Sequence, residues 1–304
     1  MANAQRIPAF VNPHSGNFEG ARDALEVAGS FDVRHVDPGS LQKSIKDSVE
    51  AGATRVLVAG GDGTIRAGAC ALRGTTAELA VLPSGTLNHF ARDHGIPVDL
   101  AEAVKVAGGT VTLAIDAGSV GDTLFLNTSS IGAYVAFMRV RDRLEKRLGY
   151  RLASILALVR TFFTMPLAAV ELEVEGKRKI YRTPLVFIGV SERELKAPTF
   201  GNRVEGGRRG LHVIVVSGRR KARMMAIALA AISRGVKEIS ATPEVDSFIV
   251  DSCTISMNRS RVRVALDGES EYMTLPLEYR LERDILRVVA AESVEGEGDS
   301  RSSA

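Results

Sequence analysis

The sequence predicts an α/β plus all-β architecture: an N-terminal doubly wound α/β nucleotide-binding unit, then a β-rich unit of antiparallel strands. Three observations lead there. Over the first 116 residues short apolar runs alternate with helical segments, the pattern of a parallel sheet covered on both faces. From about Thr110 several runs alternate apolar with polar residues, as antiparallel strands with one wet face do. Three glycine-bearing turns each follow a strand of the first part, at the sheet edge where such folds bind ligands. A chain of 304 residues has room for both units.

In order, Ile7–Val11 is a short apolar strand leading into the turn Asn12-Pro13-His14-Ser15-Gly16. A helix over Phe18–Ala28, a strand over Phe31–Val36 and a helix over Leu41–Ala51 follow. The strand Arg55–Ala59 runs into Gly60-Gly61-Asp62-Gly63-Thr64, with Thr64 placed to cap a helix reaching about Leu72. Leu79–Leu82 is the next strand, then Pro83-Ser84-Gly85-Thr86 and a helix from about Leu87. In the second part the expected strands are Val111–Ile115, Thr123–Asn127, Ala169–Val174, Lys179–Tyr181, Leu185–Val190, Leu211–Val216, Ser247–Val250, Cys253–Met257 and Arg261–Leu266. Helices over Ala136–Phe163 and Arg220–Ser233 interrupt them. The acidic, small-residue stretch 292–304 reads as a disordered tail.

Composition narrows the functional classes. Two cysteines, Cys70 and Cys253, are too few for a disulfide framework and lack metal-site spacing, which fits a reduced, cytoplasmic setting. The first ten residues lack a signal-peptide layout, and no uncharged apolar run reaches the ~18 residues of a membrane span. The net charge of +3 is unevenly spread: residues 137–237 hold 22 Lys/Arg against 8 Asp/Glu, and both flanks are acidic. A basic middle suits an anionic partner. Aromatics are only 5% and form no stacking pattern, so no nucleic acid is expected among the partners.

The chemistry concentrates in four segments. Glycines in Gly60–Thr64 let backbone amides approach an anion without Cβ atoms in the way, and a helix start adds its dipole. Asp62 inside such a cradle would repel phosphate unless it holds a hydroxyl, takes a proton or works through magnesium. Ser15 and the amides near Gly16, and Ser84, Gly85 and Thr86, supply further small donors. Each turn alone is also an ordinary turn or helix cap; three at one edge are hard to assign to coincidence. No lysine follows as in a P-loop. Far along the chain, Asp267-Gly268-Glu269 closes a strand end, either as a plain hairpin turn or as a paired-carboxylate site.

Together the four segments resemble the diacylglycerol kinase catalytic-domain family, which includes bacterial soluble lipid kinases and the sphingosine and ceramide kinases. The shared pattern stands here as Asn12–Gly16, Gly60–Thr64, Gly85–Arg92 and Asp267–Glu269. The resemblance implies an N-terminal α/β domain (1–116 plus about 281–291), a C-terminal β-sandwich (117–280) and an active site in the cleft between them. It further implies ATP and Mg2+ as cofactors and a lipid hydroxyl, diacylglycerol or a relative, as acceptor. By position, Asn12, Pro13, His14, Ser15, Gly16, Gly60, Gly61, Asp62, Gly63, Thr64, Ile65, Arg66, Ser84, Gly85 and Thr86 would hold ATP. Asp62 and Asp267 would act on the metal through water, and Glu269 would be the general base. Two departures stand out: His89 occupies a position where soluble bacterial relatives often have Asp. Arg209-Gly210-Leu211-His212 replaces a segment whose two acids often hold a structural magnesium, so that metal is not expected.

The resemblance also gives the basic middle a meaning. Arg139, Arg141, Arg143, Lys146, Arg147 and Arg151 precede apolar Leu152–Phe163, and Arg219, Arg220, Lys221 and Arg223 precede Met224–Ile232. Basic residues beside apolar helix surface suit docking on anionic lipid at the inner face of the cell membrane, or simply two packed helices with solvated ends. A homodimer is left open. NAD kinases share the glycine loop but carry an Asn-Glu pair after it, which is absent here; a non-catalytic nucleotide or lipid sensor is the remaining alternative.

Overall fold

The computed structural model describes residues 6–164, 167–194, 202–217 and 244–291. The predicted helix over Arg220–Ser233, the second basic cluster and the 292–304 tail lie outside them.

The first part is laid down as β1 (Ile7–Val11), α1 (Phe18–Ala28), β2 (Phe31–His35), α2 (Pro38–Glu50), β3 (Arg55–Gly60), α3 (Asp62–Leu72), β4 (Glu78–Pro83), α4 (His89–Asp93) and α5 (Leu100–Ala107). The strands lie in parallel in the order β2-β1-β3-β4. Apolar strand residues explain why: Phe10, Leu57 and Leu79 are fully enclosed, with Leu25, Leu41, Ile65 and Phe90 of the helices packed on both faces. The predicted order of elements holds here except for α5. Its start is marked by Asp99, whose carboxylate accepts the Glu102 N–H at 3.0 Å, a helix cap that the sequence reading passed over.

The second part runs β5 (Thr112–Val120), β6 (Thr123–Phe125), β7 (Thr128–Gly132), α6 (Ala133–Thr164, broken at Gly149), β8 (Ala168–Val174), β9 (Lys177–Thr183) and β10 (Leu185–Val190). It continues with β11 (Arg193–Glu194), β12 (Asn202–Arg203), β13 (Leu211–Val216), β14 (Val245–Val250), β15 (Ser252–Met257), β16 (Arg261–Leu266), β17 (Glu269–Thr274) and β18 (Leu277–Val289). Six strands form an antiparallel sheet in the order β14-β13-β10-β7-β16-β17. Its inner face (Ile131, Ile188, Val213, Val264) packs on Val170, Leu172, Ile255 and Tyr279 of β8, β15 and β18, which makes the predicted sandwich.

One strand joins the two parts. The start of β18 pairs antiparallel with β15, and its end, Arg287–Val288, pairs parallel with β4. The parallel sheet and one sandwich sheet are therefore a single ten-stranded sheet. Along its length β18 also pairs with β5, with a bulge between Glu282 and Leu286 where Asp284 takes φ 51°. Arg209, from the segment before β13, reaches this bulge. It pairs with both carboxylate oxygens of Asp116 on β5 and with Asp284 at 2.8 Å. A half-exposed guanidinium thus neutralises two acids where the chain bends between its two parts. His212, on the same segment, accepts the Arg193 N–H on Nδ1 at 3.0 Å and so donates from Nε2 to Ser247 Oγ at 2.8 Å. Burial drives its pKa down to about 4.

Candidate active site

The three predicted loops leave the ends of β1, β3 and β4, which are adjacent strands, so the parallel order brings them together. Backbone bonds tie them. Asn12 N–H donates to Ala59 O (3.1 Å), Ser84 N–H to Gly60 O (3.1 Å) and Asn17 N–H to Ser84 O (3.0 Å). The buried Asn12 side chain accepts the His14 N–H at 2.9 Å and donates to Thr64 Oγ1 at 2.9 Å. Asn12 is thus a cross-brace between the first and second loops.

The second loop departs from expectation in one respect. The helix α3 begins at Asp62, with Gly61 as its N-cap, and Thr64 lies inside its first turn instead of capping it. The reason is the Asn12 bond: Thr64 Oγ1 is held by the neighbouring loop. The third loop departs too. Neither Ser84 nor Thr86 caps α4; Asn88 does so, in the left-handed region at φ 51°, which Asn tolerates better than most residues. Its side chain exchanges two 3.0 Å bonds with the Gly85 backbone. Half-buried His89 opens α4.

Close approach explains the glycines. A Cβ on Gly85 would stand 2.4 Å from Gly61 Cα, so the second and third loops touch backbone to backbone. A Cβ on Gly60 would strike the Thr64 side chain at 2.5 Å. Around this floor two buried hydroxyls, Ser15 Oγ and Ser84 Oγ, have no hydrogen-bond partner among the described residues. Unsatisfied buried donors beside glycine backbone and a helix start fit a phosphate chain, whose oxygens accept from all of them.

The fourth segment comes to the same place from the other sheet. Asp267 and Gly268, both at positive φ (48° and 91°), form the two-residue turn of the β16–β17 hairpin. Asp267 turns its carboxylate inward, where it accepts the N–H groups of Leu126 (2.7 Å), Asn127 (2.8 Å) and Thr128 (2.9 Å). Burial pushes the Asp267 carboxyl above its ordinary range, against the pull of these three amides and of Arg66. The turn thereby delivers Glu269 to the glycine loop. A Cβ on Gly63 would stand 2.2 Å from Glu269 Oε1, and Glu269 Oε2 accepts from Arg66 Nη2 at 2.9 Å, across 203 residues. Arg66 Nη1 lies 3.6 Å from Glu271 Oε1.

Asp62 Oδ1 accepts the Phe90 N–H at 3.0 Å, linking the glycine loop to α4. At the far end of α4, Asp93 forms a nearly fully buried ion pair with Arg193 of β11. Arg193 also donates Nε–H to Val190 O at 2.7 Å. Burial lowers the Arg193 pKa. His94, packed on Phe90 with ring centroids 4.6 Å apart, is driven by burial to a pKa of about 4. The Asp93–Arg193 pair and Glu271 escaped the sequence reading, and Asn88, within the Gly85–Arg92 segment, was read on the helix's first turn and not as its cap. An Asn beside a Gly-Thr turn carried a signal for that cap; the ion pair spans 100 residues and carried none.

For magnesium the fit is partial. Asp62 has one oxygen beyond its amide bond, Asp267 has spent its carboxylate on three amides, and no group of three potential ligands converges among the described residues. The side chains suit an ion held mainly by nucleotide phosphates with Asp62 beside it.

Residues 6–120 match the model of the diacylglycerol kinase catalytic domain. A Pseudomonas syringae pv. tomato protein named "probable lipid kinase YegS-like" is 38% identical over 140 residues, 43% of this chain and 45% of that protein. A protein of the same name from Pseudomonas putida is 38% identical over 151 residues, covering 48% and 50%. The chain spans about half the length of the curated relatives it matches. The crystal structure of a diacylglycerol kinase from Bacillus anthracis str. Sterne superposes with a TM-score of 0.69 at 18% identity, covering 95% of this chain and 98% of that one. A second structure from that organism reaches 0.73 at 21%. The likeness in fold to these structures therefore extends past residue 120 into the sandwich. No helix among the described residues is long and apolar enough to cross a membrane.

Proposed function

We propose that the chain is an ATP-dependent lipid kinase, transferring the γ-phosphate of ATP to the hydroxyl of diacylglycerol or a related lipid. The observation that carries this reading is Glu269, brought by the sandwich hairpin against Gly63 of the glycine loop. A carboxylate beside a phosphate cradle, on a separate sheet, is placed to receive a hydroxyl between them. In this reading the amides around Gly61, Gly63 and Gly85 and the hydroxyls of Ser15 and Ser84 hold the phosphates, and Asn12 keeps the loops in register. Magnesium, when bound beside Asp62, supplies neutralisation of phosphate charge. Glu269 takes the proton of the lipid hydroxyl as its oxygen forms the new bond to phosphorus and the bond to the departing ADP oxygen breaks. Asp267 acts at one remove, fixing the turn that aims Glu269. The cleft divides 1–116 with about 281–291 from 117–280.

The lipid is met at an anionic membrane face on the cytoplasmic side. Exposed Arg143, Arg147 and Arg160 on α6 lie alongside Leu148 and Leu156, each more than 40% exposed, and support this. The side chains of Arg139, Lys146 and Arg151 and the whole Arg219–Arg223 cluster fall outside the described residues. A second reading, a non-catalytic nucleotide-binding regulator, is favoured by one feature: Glu269 is engaged by Arg66.

Incubation with labelled ATP, Mg2+ and vesicles containing diacylglycerol, monoacylglycerol, ceramide, sphingoid base or phosphatidylglycerol tests both. Label in one lipid, abolished by Glu269→Gln, is expected. Nucleotide binding by folded protein without any labelled lipid sinks the kinase reading and leaves the regulator.

A further inference from the structure

Resting on the kinase reading, we infer that Arg66 is an anion-exchanged positioning residue: it holds Glu269 while the phosphate site is empty and surrenders it when phosphate arrives.

The asymmetry of the pair carries the inference. The Arg66 side chain is 14% exposed and rooted in the second turn of α3, whereas Glu269 is 62% exposed and Glu271 44%, both on the edge strand β17. When a stronger anion competes, the carboxylates are free to move and the guanidinium is not. The guanidinium also has unused capacity. Arg66 Nη1 is buried, has no hydrogen bond among the described residues, and faces Glu271 only at 3.6 Å. A buried cationic donor left unbonded is costly, and a bidentate phosphate contact repairs it.

The carboxylate also stands where an anion is expected. Glu269 Oε1 lies against Gly63 in the first turn of α3, where unpaired helix amides attract negative charge. Phosphate and Glu269 therefore compete for the same guanidinium and the same helix start. A polyphosphate carries several charges and more acceptor oxygens than one carboxylate, so it wins the exchange. While Arg66 Nη2 donates to Glu269 Oε2, that oxygen is occupied and not open to a hydroxyl. Release frees it when the phosphoryl donor is in place.

Titration calorimetry with sodium tripolyphosphate, without lipid or magnesium, reads this exchange apart from turnover. Glu269→Gln is expected to bind tripolyphosphate 5- to 10-fold more tightly than wild type, and Glu271→Gln about 2-fold more tightly. Arg66→Gln should bind at least 10-fold more weakly, with Arg66→Lys between it and wild type. Arg66→Gln combined with Glu269→Gln should gain less over Arg66→Gln alone than Glu269→Gln gains over wild type, since only the competition for the helix start then remains. Circular dichroism confirms folding, and the exposed Glu269→Gln change keeps the test valid if Arg66→Gln fails to fold. Unchanged or weaker binding by Glu269→Gln overturns the inference. Tighter binding by Glu269→Gln, together with no lipid labelled by the wild-type protein in the kinase assay, instead sinks the kinase reading and leaves the exchange standing.

Discussion

Two of the arginine–carboxylate pairs that connect the parallel-sheet unit to the sandwich differ in almost everything except chemistry. Asp93–Arg193 has side chains 4% and 3% exposed, and Arg193 is further bonded to the Val190 carbonyl. Arg66–Glu269 pairs a largely buried cation with a carboxylate 62% exposed on an edge strand. A charge that has left water and lost its partner has nowhere to go, so the first pair behaves as a strut. In the second, water and a bound anion are ready substitutes, so the pair is exchangeable and contributes little to stability. Position relative to solvent decides which ion pair holds the molecule together and which is free to take part in chemistry.

The comparison is broken most directly at the strut. Asp93→Ala should cost about 3–5 kcal/mol, because Arg193 is left buried and uncompensated; urea unfolding measures it. A loss below about 1 kcal/mol would remove the strut from the account.

Acid should weaken the strut's surroundings next. His94 and His212 flank it, each with a folded pKa of about 4 against an ordinary 6.5. Between those values the unfolded chain takes up protons that the folded chain refuses, so stability is fully present above about pH 6.5 and falls as pH drops toward 4. The loss is on the order of 3 kcal/mol for each histidine. Urea midpoints at pH 7 and pH 5 should show the drop, and the combined His94→Gln and His212→Gln change should flatten it; an unchanged slope in that variant assigns the drop to other groups.

Glycine substitutions sharpen the contrast between rigid and movable neighbours. Gly85→Ala drives a methyl into Gly61 Cα, a backbone atom, and should cost about 1–3 kcal/mol. Gly63→Ala meets only the exposed Glu269 carboxylate, which can swing away. Its stability should change by less than about 1 kcal/mol, with a gain plausible inside a helix, while lipid phosphorylation falls at least 10-fold. Thermal melts and the labelling assay separate the two. The smallest effect is expected at the exchangeable pair: Glu269→Ala should shift stability by less than about 1 kcal/mol, and a loss comparable to that of Asp93→Ala would erase the distinction.

Much of the parallel unit was legible because its strands are short apolar runs bounded by Gly, Pro and Asn, and period and punctuation agree there. In the second part the strand list missed the two-residue β11 and β12, the joining strand β18, and β7 and β17, of which the last two are the most instructive. Thr128–Gly132 reads as a polar turn. It is nevertheless a central strand: Ser129 meets the Tyr279 hydroxyl at 3.0 Å, and neighbouring strands pair on both sides. Glu269–Thr274 is polar because it is an edge with solvent beside it. In both cases tertiary pairing overrode local propensity.

The sequence by itself determined the three loops, their place at one sheet edge, the presence of a late Asp-Gly-Glu turn and the basic middle of the chain. These follow from local patterns: glycine spacing, apolar period and charge count. Tertiary structure alone decided that Asp267 faces inward to three amides while Glu269 faces the glycine loop. It also decided that Thr64 braces Asn12 instead of capping its helix, that Arg66 reaches the sandwich, and that Asp93 finds Arg193. Each is a meeting of groups at least 52 residues apart. Such meetings depend on strand order and burial, which a local pattern does not encode.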